Sequence, residues 1–131
     1  MPDSAIARCH CGGVEIEARF PSRFCAHCYC ASCRTTHAAG VVTWIGFMRT
    51  QVSFRRGEAL LLDYLSSPGT HRRYCGRCGT RMTFESERGR WAEEIHLPLA
   101  LFATPVDREP GGNSFPEERP AWAPFHQDAE G

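Results

Sequence analysis

Cysteine supplies the chemistry here: eight thiols in 131 residues, in three blocks. Cys9 and Cys11 stand in CHCG, Cys25, Cys28, Cys30 and Cys33 in FCAHCYCASCR, and Cys75 and Cys78 in CGRCG. Thiolates bind soft and borderline metals and attack electrophiles. A tetrahedral zinc holds sulfurs at about 2.3 Å, and so about 3.8 Å from one another. C-x-C and C-x-x-C spacings meet that demand, because one tight turn presents both sulfurs to one point. Gly12, Gly13, Gly76 and Gly79 allow such turns and free backbone N–H groups to face sulfur.

Cys9/Cys11 and Cys75/Cys78 read as halves of one four-cysteine site, a closed shell suited to a structural role. Zinc and iron both fit four sulfurs, and spacing alone also allows either pair to join part of the middle run. In that run Cys28, Cys30 and Cys33 form a compact block. Three thiolates leave a metal position open, where an incoming thiol would lose its proton and could attack a small aldehyde. Cys25 reads as a small buried residue beside Phe24, with a fourth ligand or a redox-active thiol as the alternatives.

Composition bounds the setting. Fifteen basic and fifteen acidic residues cancel, so no global field draws the chain to nucleic acid or an anionic membrane. Every basic residue is arginine, which excludes a Schiff-base lysine. The opening MPDSAIARCHCGG lacks the apolar core of a signal peptide, and no later run approaches the ~20 apolar residues of a membrane span. A cytoplasmic protein is the expectation, and there clustered cysteines are ligands or reactive groups more often than disulfides.

The elements that must carry these thiols are mainly strands. VEIEARF alternates Val14, Ile16, Ala18 and Phe20 with polar residues, VVTWIGF suits a buried strand, and QVSFR points Val52 and Phe54 one way. EALLLDYLS lies between turn signals and reads as a strand. TRMTFES places Met82 and Phe84 on one face. After an ERGR hairpin turn, WAEEIHL places Trp91, Glu93, Ile95 and Leu97 on one side and Ala92, Glu94 and His96 on the other. The one candidate helix runs from about Ala31 to Ala39. The pattern predicts a single domain over 1–131, with a core at about 8–101. An irregular, proline-rich arm at 102–131 would be pinned by Phe115, Trp122 and Phe125, with HQDAEG frayed.

The blocks CHCGGVEIEARF, CYCASCR and YCGRCGT, in this order, resemble the domain of the glutathione-dependent formaldehyde-activating enzyme (GFA) family, shared with the centromere protein V group. The resemblance runs from about Arg8 to Leu101 and on to APF. It implies a mainly β, Mss4-like fold with compact sheets around two zinc ions. Cys9, Cys11, Cys75 and Cys78 match the structural site; Cys28, Cys30 and Cys33 match the catalytic one, with an open position. The activity implied is that of a carbon–sulfur lyase, acting in the direction that adds glutathione to formaldehyde to give S-hydroxymethylglutathione. The sequence departs from the family at Tyr29, where relatives often carry histidine, with His27 nearby. It departs again at GGNSFPEERPAW, where Asn113 or Phe115 occupies the region of a histidine and Trp122 matches a tryptophan.

Among other side chains, Arg34 resembles a family position and is a candidate to bind the carboxylate of a thiol co-substrate. Solvent exposure or support of the site is its default. His27, His37, His71 and His96 are candidate proton carriers, each more often a packed or surface group. His10, flanked by ligands, is expected to point outward. Trp44, Phe47 and Trp91 could line a pocket, with core packing as the default for all three. Three function classes follow: a zinc-dependent enzyme joining a small thiol to a small aldehyde or reversing that addition, a non-catalytic zinc-stabilised binding module, and a metal- or redox-handling protein. Oligomeric state is not readable.

Overall fold

A computed structural model describes residues 2–125. The alternation around Ile16 becomes β2 (Glu15–Arg19), the centre of an antiparallel sheet with β1 (Ser4–Arg8) and β5 (Val52–Arg56). Val14, Ile16 and Ala18 are buried, and Val52 and Phe54 pack on the same core. The opposite face is not simply wet. Glu15 is buried as well, because Arg8 at 2.7 Å, Arg56 at 3.2 Å and Arg55 at 3.3 Å surround its carboxylate.

The second sheet comprises β3 (Phe24–Cys28), β4 (Val42–Met48), β6 (Leu61–Ser67), β7 (Thr70–Cys75), β8 (Arg81–Ser86), β9 (Glu94–Pro98) and β10 (Asn113–Ser114). Its order is β10-β3-β4-β9-β8-β7-β6, antiparallel except for β10 beside β3. The fold is mainly β, as expected, with one α-helix among the described residues, α1 (Ala31–His37). α1 stops short of Ala39 because Ala38 turns left-handed at φ 52°. Apolar VVTWIGF is β4, covered on both faces. Ile45 and Phe47 face the main core with Cys25, Ile95 and Leu97, while Val42 and Trp44 pack with Cys28 and Cys33 on the other side.

Two expectations are corrected. Met82 and Phe84 do not share a face. The β7–β8 register jumps from Arg73↔Thr83 to Tyr74↔Arg81, leaving Met82 as the extra residue of a bulge. Met82 therefore joins the main core and Phe84 packs beside the middle cysteines. Trp91 does not line up with Ile95 and Leu97 either, because Gly89–Glu93 is a 3-10 turn and the strand begins only at Glu94. EALLLDYLS is a strand after a one-turn 3-10 segment, Glu58–Leu60.

The C-terminal arm is held by backbone more than by its aromatics. Ser22 donates from N and Oγ to Asp107 at 2.9 and 2.6 Å, Gly111 N reaches Cys25 O at 2.8 Å, and Tyr29 N reaches Ser114 O at 3.0 Å. Phe115 and Trp122, expected as pins, stay largely exposed. Phe125 stacks on Tyr29 at 5.9 Å. HQDAEG lies outside the described residues.

Gly46 shapes the surroundings of the middle cysteines. It pairs with Phe24 across β3 and β4, and a Cβ there would come 2.2 Å from the Phe24 ring. Gly46→Ala is expected to push that ring aside and to cost about 1–3 kcal/mol. Urea denaturation checks this: the midpoint should fall, and an unchanged midpoint would contradict it.

Candidate metal centres and the adjoining cavity

The first cluster forms where two turns meet. The Sγ atoms of Cys9, Cys11, Cys75 and Cys78 all lie within 4.8 Å of one another, with Cys9–Cys11 at 3.6 Å and Cys11–Cys75 at 3.9 Å. The question that spacing left open is answered: the two pairs join each other. Backbone N–H groups face the sulfurs, from Val14 to Cys9 at 3.2 Å, Gly13 to Cys11 at 3.4 Å and Arg77 to Cys75 at 3.4 Å. Gly12, at φ 77°, makes the first turn possible. Four sulfurs with N–H support could hold a zinc ion in a full shell.

The second cluster is built by a strand running into a helix. Cys28 ends β3, Cys30 is the N-cap of α1, and Cys33 lies in its first turn. Their sulfurs lie within 4.8 Å of one another, Cys28 to Cys33 at 3.6 Å, and the Cys33 N–H meets Cys30 Sγ at 3.3 Å. Cys25 is excluded by strand alternation. It points to the other face, into the main core, where burial pushes its thiol up to about 11. Three sulfurs could hold a metal ion and leave a position over.

Buried Arg72 on β7 completes this centre. Its Nη1 and Nη2 stand 3.8 and 3.7 Å from Cys33 Sγ, Nη2 bonds Ser32 Oγ at 3.2 Å, and Nε bonds Ser66 Oγ at 3.1 Å. None of these partners is a carboxylate, so the cysteine cluster is its counter-charge. Hydrogen bonds from Cys28 and Cys30, with the Arg72 charge, hold Cys33 down to about 5 against burial. The sequence hid Arg72 in THRRYC, where nothing distinguishes it from Arg73.

The second cluster opens on a cavity of about 840 Å³. Cys28, Cys30, Cys33 and Arg72 line one part of it; Phe24, Trp44, Phe84, Trp91 and His96 line another. Trp44 is buried in the smaller apolar cluster, as its default required, and borders this space together with half-buried Trp91, whereas Phe47 lies in the main core. Buried His96 also lines it, with Nε2 3.0 Å from Glu94 Oε1, and burial lowers its pKa. The other three candidate histidines are engaged elsewhere. His27 Nδ1 meets Thr43 Oγ1 at 2.8 Å, His71 lies between Asp63 and Glu87, and His37 sits edge-on to Trp44, where burial takes it down to about 4.

Two sequence candidates lie off the cavity. Arg34 donates from Nε to Tyr29 O at 2.9 Å and is not among the lining side chains. Tyr29 is buried, and its hydroxyl donates to Pro124 O at 2.6 Å, so it anchors the C-terminal arm.

Two sheets with one helix, a four-cysteine cluster and a three-cysteine cluster at a cavity define a mainly β protein whose sulfurs could hold two metal ions. The model of the glutathione-dependent formaldehyde-activating enzyme family matches residues 4–118, and the chain belongs to that family. The crystal structure of a Rhodobacter sphaeroides protein, a structural-genomics target, is similar in fold at 23% identity and TM-score 0.65. The match covers 83% of this chain and 99% of that one. No curated protein matches the sequence.

Arg72→Met keeps bulk and removes charge. It is expected to weaken zinc binding at the three-cysteine cluster by about 10-fold or more in chelator competition, with the four-cysteine cluster unchanged. Equal affinity in the variant, or equal loss at both clusters, would contradict the counter-charge role.

Proposed function

We propose that the protein is a zinc-dependent carbon–sulfur lyase-type enzyme joining a thiol such as glutathione to formaldehyde or another small aldehyde, or releasing it. One observation carries the reading. The three-cysteine cluster lines the cavity of about 840 Å³, and Cys9, Cys11, Cys75 and Cys78 are not among the residues that line it. Cys9, Cys11, Cys75 and Cys78 are then the structural ligands, and Cys28, Cys30 and Cys33 the ligands at the reaction site. A zinc ion held there would supply the positive charge that lets a thiol ionise near neutral pH.

The chain's own residues supply the rest. Arg72 balances the sulfur charge beside Cys33. Glu94 Oε1 accepts from His96 Nε2–H, which leaves Nδ1 as the proton-accepting atom of a histidine that lines the cavity. That atom takes the thiol proton and returns it to the carbonyl oxygen as the C–S bond forms. Exposed Arg23 and Arg90 stand at the cavity's rim and suit the carboxylates of a thiol such as glutathione. Arg34, tied to Tyr29 O, supports the backbone of the cysteine block in this reading. No helix among the described residues is long and apolar enough to cross a membrane. All eight cysteines are free thiols, which supports the cytoplasmic setting proposed here.

The test is metal analysis with an NMR assay of glutathione plus formaldehyde, on wild type and Cys30→Ser. Two bound zinc ions in the wild type, selective loss of one in the variant, and adduct formation faster than the spontaneous rate only in the wild type are expected. Unchanged zinc content in Cys30→Ser would contradict the ligand assignment. A rate no faster than the uncatalysed one would contradict the activity.

A further inference from the structure

The cavity is far larger than formaldehyde requires, and its apolar part is made of rings. His96 sits at the junction. Phe24 meets it edge-on at 4.7 Å, Trp91 edge-on at 5.0 Å, and Phe84 stacks on it at 5.6 Å. Trp44 continues the wall, 5.9 Å from Phe84. The wall touches the reaction site, since Phe24, Trp44 and Phe84 pack in one cluster with Cys28, Cys30 and Cys33. Arg72 spans both, lying 4.9 Å over the Phe84 ring while facing Cys33.

We propose that this wall binds the body of an aromatic aldehyde, placing its carbonyl carbon beside the three-cysteine cluster. The inference rests on the thiol–aldehyde reading above and names the substrate class. The thiol takes part of the cavity, but about 840 Å³ lies toward the top of the range of about 300–1,000 Å³ for ligand sites, whereas formaldehyde has two heavy atoms and offers no surface to a ring. The charged groups Arg23, Arg90 and Glu93 are exposed at the rim and suit the polar thiol. The recessed rings are left for the other reactant. Offset and edge-on packing of rings rewards a planar aromatic body over an aliphatic one of equal size. The reaction balances without a further reagent. The thiol sulfur bonds to the carbonyl carbon, the C=O π bond opens, and the thiol proton passes to the oxygen, giving a thiohemiacetal.

Two measurements on the zinc-loaded full chain test this. Benzyl alcohol, an unreactive analogue, is titrated against tryptophan fluorescence in wild type, Trp91→Leu and Phe84→Leu, with methanol as control. NMR then compares glutathione addition to benzaldehyde and to formaldehyde, each against its spontaneous rate. Saturable binding of benzyl alcohol but not methanol is expected, weakened about 10-fold in either variant, with Trp44 still reporting in Trp91→Leu. The acceleration should be larger for benzaldehyde by a similar factor. Acceleration of formaldehyde alone, or acceleration of either aldehyde without saturable benzyl alcohol binding, would overturn the inference and leave the thiol–aldehyde reading standing. Saturable binding with no acceleration of either aldehyde would overturn that reading instead, and with it the substrate assignment.

Discussion

Sulfur atoms brought within 4.8 Å of one another cannot all carry charge unless something positive or hydrogen-donating stands beside them. The fold supplies both remedies, and differently at its two clusters. At Cys9, Cys11, Cys75 and Cys78 the partners include backbone N–H groups in two turns, the cheapest donors available where both turns lie near the surface. At Cys28, Cys30 and Cys33 a backbone N–H, from Cys33 to Cys30 Sγ, is joined by a buried guanidinium that β7 presents from across the sheet. The first remedy ties β1 and β2 to β7 and β8 across the chain. The second keeps a cavity edge polar next to a wall of rings.

This division explains why the sheet needs its irregularities. A regular β8 would put Met82 and Phe84 on one face; the bulge sends Met82 to the core and leaves Phe84 at the cavity beneath Arg72. Gly46 makes room for the Phe24 ring. The 3-10 turn before β9 swings Trp91 out of step with Ile95 and toward His96. Each feature breaks a local pattern, and each break faces the cavity. Such departures are expected where a fold gives up regularity for a site.

Much of this was legible beforehand, because cysteine spacing and period-2 alternation are local signals. Ile16 and Leu97 fell on the core side as their alternation required, Ile45 did so within the apolar run read as a buried strand, and Cys25 proved the small buried residue that its place beside Phe24 suggested. What stayed hidden depends on residues distant in sequence. Arg72 has no mark in its own segment and gains its meaning from Cys33 across the sheet. Trp44 is core and cavity wall at once, and Trp91 borders the cavity only because of the turn before β9, a choice between packing and pocket that composition left open. Tyr29 was visible as a departure from the family pattern, yet its use was not: it is buried, bonded to Pro124 O and stacked on Phe125. The residue that stands where relatives often carry histidine here fastens the C-terminal arm, while buried His96 lines the cavity.

The account's central claim is that one cluster is closed and the other open. A crystal structure of the zinc-loaded protein with glutathione tests this most directly. The account predicts one zinc on Cys9, Cys11, Cys75 and Cys78, and a second on Cys28, Cys30 and Cys33 whose remaining ligand is the glutathione sulfur or water. A fourth protein ligand at the second zinc, such as Cys25 or His27, would contradict it.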